Sequence, residues 1–278
     1  MGLKEIKTRI NAIKKTAEIT QAMHNIALSK IRSATKTLRD ADIFVQDIRR
    51  IIDAADRSAE EHRMTSPHEG DHTLYVLVTS DRGLAGSYHN QLFKAFLEDV
   101  KDIPDGRYQL VVLGKKGYYF AKKRRLPLVN TDIVFNRDDI TAIDFKGYAR
   151  LIGDAFRDGL CDRVVLMFSH YVNTATQTIA TETILPYIPK NPPLREEYIY
   201  DADPSEVLDN TVLIHVEGSI YRALADAKLS EHASRMIAMK NATDNAKDIV
   251  ERLTMEYHRA RQQEITSEII DVVNGSNN

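Results

Sequence analysis

The first 64 residues constrain the fold more than any other part of this chain. Between Leu3 and Met64 there is neither a proline nor a glycine, and apolar residues recur with a period of seven. A sustained heptad is typical of a helix that supercoils with a partner helix. One seam set is Leu3, Ile10, Ala17, His24, Ile31, Leu38, Val45 and Ile52, and the other is Ile6, Ile13, Thr20, Ala27, Ala34, Ala41, Ile48 and Ala55.

The length of this heptad shows that the helix cannot lie wholly within a globular core. At about 1.5 Å per residue, a helix over residues 3–57 would be roughly 80 Å long. The chain also ends in a helical pattern, with no proline after Pro204 and only Gly218 before Gly275. Its apolar stripe runs through Ala233, Met236, Ala246, Val250, Leu253, Tyr257 and Ala260. We therefore predict that the two terminal helices pair antiparallel, since each stripe is too narrow for a core of its own.

The middle of the chain alternates between strand and helix patterns. Turn residues at 65–71 end the first arm, and "PYIPKNPP" (186–193) precedes the second. The patterns predict strands at 73–79, 108–114, 128–135, 163–172 and 176–186, with helices at 90–100, 115–124 and 144–159. Such alternation favours a mostly parallel sheet, with the last two strands as a hairpin.

The fold class predicted from these patterns is α/β. A long antiparallel coiled coil of the N- and C-terminal helices carries an inserted Rossmann-like α/β domain. The predicted boundaries are 1–64 for the first coiled-coil helix, 70–195 for the α/β domain and 204–275 for the second coiled-coil helix.

Two features of the first arm have more than one interpretation. Thr20 and His24 place polar groups in the seam, where they either fix the register of the helices or face another protein. Residues 1–36 carry eight Lys and Arg against two Glu, a net charge of +6. This charge indicates a solvated face, a surface that meets acidic protein or, less consistently, a nucleic-acid contact, because no aromatic residues interleave with the cations.

The loop after the first predicted strand resembles a phosphate-binding turn only superficially. Residues 80–89, "SDRGLAGSYH", contain G-x-x-G but neither G-x-G-x-x-G nor the P-loop pattern with its lysine. The histidines and the single Cys161 show no metal-ligand or nucleophile spacing. We therefore predict no catalytic residues, no cofactor and no metal in this chain, and a structural role for the loop.

The composition is that of a chain without obvious export or membrane signals. Hydrophobic residues make up 43% and charged residues 28%, and the net charge is −2. One cysteine cannot form an internal disulfide, which fits a reducing compartment. The N-terminus has no signal-peptide pattern, and no apolar run reaches the roughly 18 residues that a membrane helix needs.

Three separated segments of the chain resemble the gamma subunit of F-type ATP synthase. "SDRGLAGSYHNQL" is similar to that family's "TSDRGLCGGLN", with Ala85 in place of Cys and "SYH" in place of "GLN". The start, "LKEIKTRINAIKKTAEITQAM" followed by "SK", is similar to its first helix. The end, from "SEHASRMIAMKNATDN" to "IIDVVNG", is similar to its C-terminal signature.

The resemblance implies a rotor. In that family the paired terminal helices turn inside a ring of three alpha and three beta subunits. The α/β domain sits near the epsilon subunit and the membrane ring of c subunits. Proton or sodium flow turns the c ring and the shaft, and the shaft drives the beta subunits through their states. The nucleotide sites belong to alpha and beta, so this chain would be non-catalytic, and it would bind no nucleic acid.

The resemblance also implies contact residues. Arg261, Gln262 and Thr266 in "RQQEIT" match the family's "RQASIT", which grips a beta-subunit loop, and Met23 and Arg235 match positions that face beta. The c-ring or foot contacts would fall on "EYIYDADP", at Tyr198, Tyr200 and Asp201.

The expected location is the cytoplasmic face of a bacterial plasma membrane, where partners hold the chain as a peripheral protein. Two alternatives remain at this stage. One is a cytosolic α/β enzyme with oligomerising helical arms, and the other is a coiled-coil scaffold or nucleic-acid-binding module.

Overall fold

The computed structural model describes residues 2–55, 62–136, 146–189 and 203–275. The first and last elements of the sequence are long helices: α1 over Leu3–Ala55 and α5 over Pro204–Gly275. Every member of both heptad sets in α1 is buried or half-buried, as are all seven residues of the α5 stripe. The prediction of two long helices with apolar seams is therefore confirmed.

A four-stranded sheet lies between these helices in sequence. It consists of β1 (Thr73–Val78), β2 (Tyr108–Leu113), β3 (Arg163–Tyr171) and β4 (Gln177–Leu185), in the spatial order β2-β1-β3-β4. β1 is parallel to both of its neighbours, whereas β3 and β4 pair antiparallel. The predicted mostly parallel sheet with a final hairpin is thus confirmed.

Both faces of the sheet are covered by helices. The helices α2 (Tyr88–Val100) and α3 (Lys115–Arg124) pack on the face that carries Tyr75 and Leu77. The other face, which carries Leu74 and Val76, packs against α4 (Lys146–Arg157) and against parts of α1 and α5. Successive side chains of a strand point to opposite faces, so the buried strand β1 reads as a continuous apolar run.

The strand predicted at 128–135 is not formed, and that prediction is wrong. Only Leu128 and Val134 make single bridges, to Leu110 and Leu113 of β2. Between them the side chain of Asn130 replaces backbone pairing: its Oδ1 accepts from the Val112 amide at 2.9 Å. The segment touches the edge strand at two points and departs from it in between, because a side-chain amide makes the hydrogen bonds that a strand would make.

The chain divides into two compact units. The first, which we call the shaft unit, contains the described residues of Met1–Leu28 and Arg235–Asn278, and the second, the body unit, those of Ser29–Ser234. Within the body unit α1 and α5 pack closely, since a Cβ added at Gly218 would lie 3.0 Å from the Phe44 ring. Among the described helices, none is long and apolar enough to cross a membrane.

Candidate functional site

The shaft unit is an antiparallel pair of helix segments with a partly polar seam. Ile6 and Ile10 of α1 cluster with Leu253 of α5. Further along, the hydroxyls of Thr20 and Thr243 are 2.7 Å apart. The two segments run antiparallel, because Ile6 and Ile10 near the start of α1 meet Leu253, whereas Thr20, later in α1, meets Thr243, which is earlier in α5. Thr20, predicted to place a polar group in the seam, therefore meets a polar partner in the same unit.

His24 is the second polar seam residue, and it also has a partner on the facing helix. Its Nδ1 lies 3.0 Å from the backbone carbonyl oxygen of Met236. Met23 and Arg235 flank this hydrogen bond in sequence, so the two residues predicted to face another subunit lie at one level of the helix pair. Met23 is half-buried, whereas Arg235 is buried, with 7% of its surface exposed.

The end of α5 extends beyond its pairing with α1. Ala260 is the last half-buried residue, and residues 261–272 are all exposed. This stretch, which we call the free end, includes the predicted contact residues Arg261, Gln262 and Thr266. It also exposes large apolar side chains: Ile265, Ile269, Ile270 and Val272. A helix with exposed apolar residues and no apolar partner is typical of an interaction surface.

The eight cations of residues 4–36 are all available to solvent. Lys4, Lys7, Arg9, Lys14, Lys15, Lys30, Arg32 and Lys36 are exposed. The remaining predicted contacts, Tyr198, Tyr200 and Asp201, lie outside the described residues.

The loop at 80–89 is built as a structural turn. Leu84 and Gly86 adopt left-handed conformations, with φ of 61° and 58°. The Asp81 carboxylate accepts from the Lys115 amide at 2.8 Å and so caps the first turn of α3. The Ser80 hydroxyl lies 2.8 Å from Nε2 of His89, which ties the two ends of the loop together.

The crevice where a sheet of this topology would bind a nucleotide is occupied by α5. In open α/β sheets that crevice lies at the carboxyl ends of the strands, where the strand order reverses. Here the Tyr88 hydroxyl donates to the Ala227 carbonyl at 3.1 Å, and the Ser230 hydroxyl donates to the Ser169 carbonyl at 2.9 Å. The alternative of an enzyme with a ligand at this loop therefore has no open site at the crevice.

Asp226 anchors α5 at this edge of the sheet. Its carboxylate accepts from the Tyr171 amide at 2.7 Å and lies 2.6 Å from Nδ1 of His170. Burial raises the pKa of Asp226, while the hydrogen bonds from His170 and Tyr171 act in the opposite direction. Neither Asp226 nor His170 was singled out from the sequence, because nothing local indicates which distant strand α5 will contact.

The body unit also contains a cleft of about 760 Å³ between α1, β4 and α5. Arg49, Glu182, His215 and Arg222 are among the residues that line it. Burial, followed by the charges of Arg49 and Arg222, lowers the pKa of His215 to about 3, so this histidine is neutral near pH 7. Within the described residues no cluster of His, Cys, Asp and Glu could hold a metal ion.

Comparison with known proteins identifies the class to which this architecture belongs. A family model described as ATP synthase matches residues 2–278. The ATP synthase gamma chain of Staphylococcus saprophyticus is 34% identical over 99% of this chain and 98% of its own length. That of Staphylococcus haemolyticus is 33% identical over the same shares. This chain therefore belongs to the ATP synthase gamma chain family.

Solved structures agree with this assignment at the level of fold. The chain is similar to one in the F1/c-ring part of Euglena gracilis mitochondrial ATP synthase, with a TM-score of 0.71, 16% identity and coverage of 99% of this chain and 93% of that one. A chain of the central stalk and c ring of the Tetrahymena thermophila enzyme gives a TM-score of 0.63 at 23% identity, over 81% and 99% of the two chains.

Proposed function

We propose that this chain is the central rotor shaft of an F-type ATP synthase. It turns inside a ring of three alpha and three beta subunits and couples proton-driven rotation of the membrane c ring to ATP synthesis, and ATP hydrolysis to the reverse rotation. The observation that carries this proposal is the family match over residues 2–278, which spans both long helices and the sheet.

The helix pair suits a shaft because pairing stiffens it. Two helices that pack closely along a seam, as α1 and α5 do, resist bending more than a single helix does. Small residues at seam positions, such as Ala27, which is 1% exposed, keep the pair thin. A thin and stiff pair can transmit torque within a narrow central space.

The free end of α5 supplies the proposed upper contact. Arg261 and Gln262 are exposed there and would grip a loop of a beta subunit, and Thr266 lies one turn further along. The exposed isoleucines of the same segment would be shielded from water by the surrounding ring. Met23 and Arg235 would face beta lower on the helix pair, and Tyr198, Tyr200 and Asp201 would meet the c ring.

The exposed cations of residues 4–36 would meet acidic surface on the surrounding subunits. Surface ion pairs each contribute little, about 0–1 kcal/mol. Many weak contacts suit a rotor, because they do not hold it in a single orientation. Each orientation of the shaft still biases the state of the beta subunit that it faces. The chain itself performs no chemistry in this proposal. It binds no nucleotide and acts through the alpha and beta subunits.

The proposed location is the cytoplasmic face of a bacterial plasma membrane, with attachment through the c ring and the epsilon subunit. Co-purification of the native assembly tests both the location and the role. An affinity tag inserted in the turn at Pro104–Gly106 avoids both long helices, and all three turn residues are exposed.

Detergent-solubilised membranes should then yield a complex with ATPase activity that contains two nucleotide-binding subunits in threefold excess over this chain. The matched control carries the same tag in the turn at 173–175, between β3 and β4, where Asn173 and Ala175 are exposed and Thr174 is half-buried, and should recover the same complex. Recovery of the chain alone, or only of copies of itself, from both tagged strains would contradict the proposal.

A further inference from the structure

Helix α3 and the residue that follows it form a cluster of positive charge in the body unit. Six cations occur in the eleven residues "KKGYYFAKKRR", with no acidic residue among them: Lys115, Lys116, Lys122, Lys123, Arg124 and Arg125. All six are exposed. Gly117 and Ala121 are buried, so Lys115, Tyr119 and Lys122 lie on the outward face, as helical spacing requires.

These charges are not neutralised within the part of the chain that the structure describes. No ion pair among those residues involves a cation of α3. Three of the six lie over aromatic rings: Lys115 lies 5.9 Å from the Tyr119 ring centroid, Lys122 lies 5.5 Å from that of Tyr118, and the Arg124 guanidinium lies 5.3 Å from that of Phe120. Cation–π contacts orient the side chains but leave the net charge unchanged.

Helix stability explains four of the six cations. Cations near a helix C-terminus are favourable, which accounts for Lys122, Lys123 and Arg124 in the last turn and for Arg125 at the C-cap. Lys115 and Lys116 lie at the opposite end, where the helix dipole opposes positive charge. The first turn contains no acidic residue, and Gly114 offers no side-chain cap. The Asp81 carboxylate, which accepts from the Lys115 amide at 2.8 Å, offsets part of the positive charge at this end of the helix, but one carboxylate does not account for two lysines.

We propose that the outward face of α3 is a docking surface for an acidic protein segment of another chain. At about 1.5 Å per residue the helix is roughly 15 Å long. This length fits a short carboxylate-rich helix or loop rather than an extended polymer. Tyr119, which is 54% exposed between the lysines, supplies the aromatic contact that is enriched at protein interfaces. This surface is separate from the shaft contacts and does not depend on them.

Charge elsewhere in the chain favours a compact partner over a membrane or a nucleic acid. The whole chain carries −2 and the cluster carries +6, so the remaining residues carry −8. An extended anionic surface would be repelled by that excess of negative charge. A short acidic segment would avoid the repulsion, because it contacts only α3. Tyr119 is also the only large apolar side chain of α3 that is strongly exposed, so the helix has no apolar residues with which to anchor in lipid.

Zero-length cross-linking of the tagged native complex tests the proposal. A carbodiimide joins a lysine amine to a carboxylate with loss of water, and only when the two groups touch. We expect peptides that contain Lys122 or Lys123 to be joined to Asp or Glu of another chain. Lys116→Glu should lower the yield of these cross-links about fivefold, because one attractive pair becomes repulsive. Lys116→Arg should leave the yield unchanged, because it retains the charge.

Lys146→Glu is the matched control. Lys146 is an exposed lysine at the first residue of α4, again without an acidic residue in the first turn. Both Glu variants change the net charge equally and place an acid in the first turn of a helix, and a melting curve of each checks that the fold is retained. Lys146→Glu should keep the α3 cross-links at the level of the unmodified protein.

Three outcomes would overturn the proposal. The first is the absence of cross-links from α3 to any other chain. The second is an equal loss in Lys116→Glu and Lys146→Glu. The third is flotation of the purified chain with vesicles of phosphatidylcholine and phosphatidylglycerol, but not with phosphatidylcholine alone, that is lost in Lys116→Glu. That last result would assign the surface to lipid headgroups.

Discussion

The shaft unit and the body unit are stabilised in different ways although the same two helices contribute to both. In the body unit, side chains such as Phe156 and Val76 are fully buried between the sheet and the helices on one of its faces. In the shaft unit, apolar burial is confined to one seam, with a small cluster at Ile6, Ile10 and Leu253. A layered core concentrates stability at a few residues, whereas a seam distributes it along its length. The predictions below test that difference, from the largest expected effect to the smallest.

A cavity in the layered core should cost far more than one in the seam. Phe156→Ala removes a completely buried ring and should lower the free energy of unfolding by about 3–5 kcal/mol. Ile10→Ala, at a seam position that is 9% exposed, should cost about half as much. Hydrogen exchange read separately for the two units measures both effects. Equal losses would show that the seam is as tightly packed as the core.

Backbone strain at the sheet edge gives the next largest effect. Gly114 has a φ of 101°, and a Cβ there would lie 2.5 Å from the Thr79 carbonyl oxygen. Gly114→Ala should therefore cost about 3 kcal/mol, from strain and overlap together. Gly106→Ala is the control, with a φ of 83° but open space, and should cost about 1 kcal/mol. Denaturant melts measure both, and a cost for Gly114→Ala no larger than that of the control would contradict this account.

Acid should destabilise the body unit through His215. Its pKa is lowered to about 3 in the folded protein, by burial and by Arg49 and Arg222, against 6.5 when exposed. The stabilising contribution is complete above pH 6.5 and is lost as the pH falls toward 3. Between pH 7 and pH 5 the expected loss is about 2 kcal/mol.

His215→Gln should remove that part of the pH dependence, as measured by melts at a series of pH values. The control His258→Gln, at an exposed position in the shaft unit, should keep it. An unchanged pH slope in His215→Gln would show that other groups cause the acid sensitivity.

The polar seam should contribute modestly to the shaft unit. Thr20 and Thr243 are hydrogen-bonded at 2.7 Å, and replacing either by Val removes this bond across the seam while the remaining hydroxyl keeps only a carbonyl of its own helix, that of Ala17 or Met239. Each single change should cost about 1 kcal/mol, and the double change less than the sum. A double-mutant cycle measures the coupling energy. If that energy is zero, the threonines do not determine the register of the pair.

The smallest effect on folding is expected at the free end of α5. Arg261 is exposed and outside the seam, so Arg261→Ala should change the free energy of unfolding by less than about 0.5 kcal/mol. ATP synthesis by the assembled complex should nevertheless fall by about twofold to fivefold, because a proposed contact is lost. Glu264→Ala, in the same exposed stretch, is the control and should leave synthesis unchanged. Equal activity in both variants would remove Arg261 from the contact set.

Periodicity predicted the helix pair, and the resemblance to a known family predicted the contact residues. The heptad located the seam of α1, whereas Arg261, Gln262 and Thr266 were named from the resemblance and lie on an exposed end of α5. Their contacts with a beta subunit stay predictions, as do those of Met23 and Arg235. Residues 115–124 were predicted only as a short helix, although the run of positive charges is present in the sequence.

The sequence by itself determined the helices, the four strands of the sheet, their mainly parallel pairing and the final hairpin, and it also predicted a fifth strand that does not form. The alternation of strand and helix patterns and the heptad spacing of apolar residues are local features of the sequence. They could therefore be recognised without knowing which distant segments are in contact. Only the tertiary structure decided that 128–135 is not a strand, that Asp226 anchors α5 over the crevice and that α5 extends beyond its pairing with α1. Each of these depends on which distant segments meet, such as Asn130 with Val112. Such contacts are selected by packing of the whole chain and leave no local pattern.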